Sequence, residues 1–139
     1  MNMTEDAVGR QGRVTCVVER SQSANAYGNP DLWALATPAL VGLMEMASMD
    51  ALDGLLQVGE RSVGSVVEVE HRAPTPVGAR VDVVARIDEV DGRKVWFSVT
   101  ASDQSGTVAA GRHARVVVDD ARFRARLAEL DAGLRSSRG

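Results

Sequence analysis

Between Leu32 and Met49 the chain reads LWALATPALVGLMEMASM, and Glu45 is the one charge in that stretch. Thr37-Pro38 is a helix-start signal, because a threonine hydroxyl accepts from a free backbone amide and proline suits the first helical position. The helix is expected to run from Thr37, as its cap, to about Leu56. Leu40, Val41, Leu43, Met44, Ala47 and Met49 spread apolar side chains over nearly its whole circumference through Met49. A helix of that kind cannot lie on a wet surface; a sheet or a partner has to wrap it. Asp50 and Asp53 mark its wetter end.

The wrapping material follows directly. Arg13 to Glu19 reads as one strand, and four more are expected at about Ser62 to Arg72, Ala79 to Val90, Lys94 to Ser102 and Thr107 to Val118. Pro74, Pro76 and Gly78, then Asp91-Gly92, then Asp103 to Gly106 break the links between these four, and an antiparallel meander is the simplest arrangement. Val81, Val83, Ala85 and Ile87 alternate with charged residues, and Val95, Phe97, Val99 and Ala101 alternate with Trp96, Ser98 and Thr100, so each strand has a dry face and a wetter one. Phe123, Leu127, Leu130 and Leu134 are spaced for a short amphipathic C-terminal helix. Ser21 to Asp31 (SQSANAYGNPD) is rich in turn formers and long for a simple link, which makes it a candidate lid.

A chain of 139 residues with 45% hydrophobic and 25% charged content fits one domain. The boundaries expected are a loose polar N-terminus over 1–12, a single domain over 13–135 that includes the C-terminal helix, and a frayed tail over 136–139. A net charge of -3 argues against non-specific nucleic-acid binding. No apolar run reaches the length of a membrane span and no secretory leader pattern is evident, so no membrane association and a cytoplasmic location are expected. The lone Cys16 sits in strand-like RVTCVVE and reads as a small buried hydrophobe. One cysteine and two histidines argue against a metal site.

Glu45 is the residue that asks for chemistry, since burying a bare carboxylate costs several kcal/mol or forces it to neutralise. In GSVVEVEHR the alternation places Ser65, Val67, Val69 and His71 on one face and Glu68, Glu70 and Arg72 on the other, which makes His71 the candidate partner. A histidine exchanges protons near neutral pH, and an adjacent carboxylate is expected to raise its pKa. Against this stand plainer readings: Thr37 as only a cap, Glu45 paired with an arginine or turned to solvent at a dimer seam, His71 as a satisfied core histidine, and Gly64 as a bulge or turn.

The order of one strand, one buried helix and four strands resembles the hotdog fold, an α+β design in which a curved antiparallel sheet wraps a long hydrophobic helix. The resemblance narrows at VGLMEMA around Glu45, GSVVEVEHRAPTPVGARVDV around Gly64 and His71, VDGRKVWFSVTASD, and GRHAR. Over about Ala36 to Phe123 the chain resembles the fluoroacetyl-CoA thioesterase family. That resemblance implies hydrolysis of an acyl-CoA thioester, with Thr37, Glu45 and His71 as the catalytic set and Gly64 lining the site. It implies no cofactor, CoA being part of the substrate, and a homodimer with active sites near the interface. Which group attacks the thioester stays open: a carboxylate, the threonine or an activated water. Arg115, in GRHAR, is a candidate substrate contact through a CoA phosphate, or an interface residue; against both stands the plainer reading of Arg115 and His113 as solvated residues that share a face with Thr107 and Ala109.

The resemblance stops at the aromatic lid. The family's two lid phenylalanines fall on about Gly28 and Asp31, so a different or broader acyl group is expected. Tyr27 and Trp33 lie nearby, more ordinarily as a turn tyrosine and a core tryptophan. Two alternatives complete the expectations: hydrolysis of an acyl-carrier-protein thioester, and a binding module of the same fold without turnover.

Overall fold

The computed structural model describes residues 5–138. Its strands are β1 (Gln11–Val17), β2 (Glu60–His71), β3 (Arg80–Asp91), β4 (Lys94–Asp103) and β5 (Gly106–Asp119); its helices are α1 (Thr37–Ala51) and α2 (Asp120–Arg138). The strands make one antiparallel sheet in the order β1-β3-β4-β5-β2. Only β3, β4 and β5 form the expected meander. β2 pairs with β5, from Glu60 opposite Asp119 to His71 opposite Ala109, so the link through Pro74 and Pro76 crosses the sheet instead of turning a hairpin. Alternation tells which face a residue occupies and is silent about which strand lies beside it.

Core packing follows the alternation. Val81, Val83, Ala85 and Ile87 are fully buried, as are Val95, Phe97, Val99 and Ala101, and they cover Leu40, Met44, Ala47 and Ala51 of α1. Burying a side chain the size of Leu40 or Phe97 stabilises by about 1.5–3 kcal/mol. Gly12 sets how closely the helix can approach: a Cβ there would stand 2.2 Å from both the Ala47 carbonyl oxygen and the Ala51 nitrogen.

Several boundaries differ from expectation. α1 ends at Ala51, not near Leu56, because Leu52 turns into the core and Gly54 adopts φ 79°, a left-handed conformation that halts the helix. The wrapping of α1 is one-sided, since Met46 and Met49 are exposed. The first dozen residues are not uniformly loose: residues 1–4 lie outside the described range, Ala7 is buried in the core, and β1 begins at Gln11. α2 runs for 19 residues through Arg138, past the expected fraying point, and none of its side chains is buried. Gly139 lies outside the described residues. No helix among the described residues is long and apolar enough to cross a membrane.

Candidate functional site

Thr37 does not cap its helix. The N-cap is Ala36, extended at φ -73° and ψ 144°, and no side chain caps the helix start; Thr37 occupies the first helical position. Its hydroxyl is therefore free of the backbone and lies 2.8 Å from His71 Nδ1. The His71 ring takes no ion pair, and its Nε2 is buried without a hydrogen bond among the described residues. Burial pulls its pKa below the ordinary histidine value, and the Ala73 backbone opposes this in part. The expected upward push from a carboxylate is absent because Glu45 is engaged elsewhere.

Glu45 pairs with an arginine, the plainer of the sequence readings. Its Oε1 lies 3.7 Å from Arg115 Nη1, with the Glu45 side chain 39% exposed. Gly64 makes room for this carboxylate: a Cβ at that position would come within 2.4 Å of Glu45 Oε1. The solvated reading of Arg115 does not hold. It is 5% exposed, and its Nε donates to Ser62 Oγ at 2.8 Å while Nη2 donates to the Ser62 carbonyl at 3.0 Å. A guanidinium so engaged is turned inward, toward β2. Nor does it hold for His113, at 1% exposure. The reason is local: the register between β4 and β5 shifts just before Ala109, so Thr107 gives no guide to the face that Ala109, His113 and Arg115 share.

A second irregularity brings the two ends of the site to one face. Gly64 and His71 are seven residues apart, which in a regular strand puts them on opposite sides. The register between β2 and β5 shifts at Ser65, so Gly64, Val67, Val69 and His71 stand opposite Arg115, His113, Gly111 and Ala109 in turn. All four β2 residues thus share the face that α1 covers. Sequence parity grouped Ser65 with Val67, Val69 and His71, and the bulge read as an alternative at Gly64 is the irregularity that brings Gly64 to their face.

The site therefore consists of two pairs rather than one triad: Thr37 with His71, and Glu45 with Arg115 beside Gly64. Eight helical residues separate Thr37 from Glu45, a rise of about 12 Å. The depression beside His71, lined by Leu35, His71, Arg72, Ala73 and Pro74, has a volume of about 240 Å³. That is below the ~300 Å³ at which pockets for whole small molecules begin.

The segment before Thr37 is more ordered than its composition implies. Arg20–Gln22 and Ala24–Tyr27 form 3₁₀ turns, and Ser23 is fully buried with its hydroxyl donating to the Arg20 carbonyl. Gly28 and Asp31, the positions of the missing lid aromatics, have φ 95° and 62°. Trp33 is no core tryptophan: it is 43% exposed, with the Arg20 guanidinium 4.9 Å from its ring.

Comparison with known proteins adds what geometry alone does not. A family described as fluoroacetyl-CoA-specific thioesterase matches residues 18–121. A fluoroacetyl-CoA thioesterase of Streptantibioticus cattleyicolor is 38% identical over 92 residues, spanning 66% of this chain and 66% of that protein. A crystal structure of a point variant of the fluoroacetyl-CoA-specific thioesterase superposes with a TM-score of 0.83 at 30% identity, covering 93% of this chain and 98% of the other. A hot-dog-like protein from Thermanaerovibrio acidaminovorans superposes with a TM-score of 0.84 at 30% identity, covering 93% and 96%.

Proposed function

The chain belongs to the fluoroacetyl-CoA-specific thioesterase family of hotdog proteins, and from that premise we propose that Thr37, Glu45 and His71 carry out its chemistry. The protein is an acyl-CoA thioesterase, which hydrolyses a thioester to the free acid and CoA. The observation that carries the assignment of residues is the bond between Thr37 Oγ1 and His71 Nδ1, which leaves His71 Nε2 buried and unpaired. Buried polar atoms without partners are uncommon in folded proteins, and one on a histidine beside an open depression is poised for a substrate or a water.

In this reading His71 donates from Nδ1 to Thr37 Oγ1, so its Nε2 lone pair is the base. Nε2 takes a proton from the attacking group and returns it to the departing thiolate of CoA. The Thr37 hydroxyl, while accepting from His71, donates its own proton toward the thioester carbonyl. The positive end of α1 lies beside it, where negative charge develops on that oxygen. Glu45 supplies the carboxylate that orients the attacking water; in the alternative course it attacks the carbonyl carbon itself, CoA leaves as the thiolate, and His71 Nε2 takes its proton from the water that hydrolyses the resulting mixed anhydride and passes it to that thiolate. Gly64 leaves space for the acyl group next to it.

A second copy of the chain completes this site. A rise of about 12 Å along α1 keeps Glu45 from the Thr37–His71 pair of its own chain, so Glu45 serves His71 of the partner subunit. β2 has a free edge, and Met46, Met49 and Val67 near the Glu45 end are exposed apolar groups of the kind that a homodimer covers. The acyl group is different from fluoroacetyl or the range broader, because the two lid positions hold Gly28 and Asp31 in left-handed backbone conformations that disfavour bulky aromatics.

Thiol release measured over a panel of acyl-CoA esters and acyl-carrier-protein thioesters, beside Glu45→Ala and His71→Ala, tests the proposal. Rapid release from acyl-CoA and loss of most of it in both variants is the expected result. Full activity in folded His71→Ala sinks the assignment. Preference for the carrier-protein ester moves the substrate class, and tight acyl-CoA binding without release makes the chain a binding module.

A further inference from the structure

Behind Glu45, on the core face of β5, His113 and Arg115 are almost completely buried, and the hydrolytic scheme gives His113 no task. Burying a guanidinium is costly unless its donors are met, and here they are met on every side. Nε and Nη2 go to Ser62, and Nη1 lies 3.3 Å from His113 Nε2 while standing 3.7 Å from Glu45 Oε1. Arginine only donates, so His113 Nε2 has to accept and carries no proton. The other ring nitrogen, Nδ1, lies 2.8 Å from the Val66 carbonyl oxygen, which only accepts, so Nδ1 carries the proton. Two independent contacts therefore select the same neutral tautomer. Phe97 stacks against the ring, with centroids 6.0 Å apart and planes 28° apart, and holds its orientation. The ring also borders the place of the Glu45 carboxylate: a Cβ on Gly64 would stand 3.4 Å from His113 Cε1 and 2.4 Å from Glu45 Oε1.

We infer that His113 is a positioning residue for thioester cleavage: its bare Nε2 accepts from Arg115 Nη1 and so aims the guanidinium at Glu45, fixing that carboxylate over Gly64. The inference rests on Glu45 being part of the reacting set. His113 acts through Arg115 and Glu45 and performs no step on the reacting atoms. A phenylalanine would fill the same space against Phe97 yet leave Nη1 with one partner fewer, and the guanidinium would then be free to swing from the carboxylate. Glutamine places an amide oxygen near the Nε2 position and supplies the missing acceptor.

The test compares His113→Phe and His113→Gln with the parent chain, using acetyl-CoA or whichever ester of the panel turns over faster, with kcat and KM resolved. His113→Phe is expected to lower kcat about ten- to a hundred-fold, the loss of one hydrogen bond to a charged group, with KM within about two-fold. His113→Gln restores most of kcat. Nitrogen chemical shifts of the parent protein are expected to report the Nδ1–H tautomer of His113 near neutral pH, a readout that does not depend on any variant folding. A folded His113→Phe with parental kcat, a His113→Gln as slow as His113→Phe, or an Nε2–H ring would each overturn the inference. Glu45→Gln and His71→Ala are run in the same series. Full activity in either overturns the site itself, whereas loss in both beside a parental His113→Phe overturns only the role of His113.

Discussion

Replacing Gly64 with alanine separates the fold from the chemistry at a single atom. The new Cβ would lie 2.4 Å from Glu45 Oε1, and ordinary contact between such atoms begins at ~3.4 Å, so the carboxylate has to retreat by about 1 Å. It can do so cheaply, because the clash is with the far end of a flexible side chain that is already 39% exposed. Folding stability should therefore change by less than about 1 kcal/mol, a shift of a few degrees in Tm. The active site is less forgiving: a displacement of about 1 Å in a reacting group lowers the rate on the order of 100-fold. Thermal melting followed by circular dichroism gives the first quantity and thiol release the second. If Gly64 acts through Glu45, adding Gly64→Ala to Glu45→Gln should cost little more than Glu45→Gln alone. A folded Gly64→Ala with parental kcat/KM would show that the position of this carboxylate does not matter to the reaction, and the reasoning would fail.

Gly12→Ala makes the opposite prediction, because its Cβ would meet helix backbone at 2.2 Å and backbone cannot step aside; Tm should fall by roughly 10 °C, and an unchanged melt would contradict the close packing of α1 on β1. Since Thr37 is not a cap, Thr37→Val should melt within a few degrees of the parent while losing most activity, with Thr37→Ser retaining more of it; a large drop in Tm for the valine variant would restore the capping role. Burial lowers the pKa of His71, so the neutral base persists to lower pH and the acid limb of kcat/KM should fall below pH ~6.5; a limb above that value contradicts the environment described. The same sign governs stability: His71 and His113 both bind protons more weakly folded than unfolded, so Tm should fall as pH drops through the window below ~6.5, and a rise there would refute both shifts. Refolding an equal mixture of Glu45→Ala and His71→Ala chains should recover about one quarter of parental activity if two copies share each site, since half the dimers are mixed and each has one intact site; no recovery places both residues of a working site in one chain.

The elements were largely legible because they are set by local pattern. Val81 to Ile87 and Val95 to Ala101 announce their buried faces two residues at a time, and the run from Leu40 to Ala47 announces its helix. What pattern does not carry is adjacency. Nothing in GSVVEVEHR says that it lies beside GRHAR rather than beside the strand that follows it, and without that neighbour Arg115 is not an obvious partner for Glu45. Thr37 and His71 were legible as candidates through family spacing, and the same spacing pointed to Gly64. The assignment of Glu45 to His71 within one chain was the natural reading of parity, but parity says nothing of distance along the helix axis. His113 was lost to a register shift that moved its face away from the one its neighbours in sequence implied.

The extra residue at Ser65 bears on any attempt to move this site into another protein. A designer who copies Gly64 and His71 onto a regular strand at their native separation will point one inward and the other at solvent, whatever care is taken over the side chains. Transplanting the spacing requires transplanting the irregularity, and deleting Ser65 from the native chain should dismantle the arrangement without altering any of the residues that compose it.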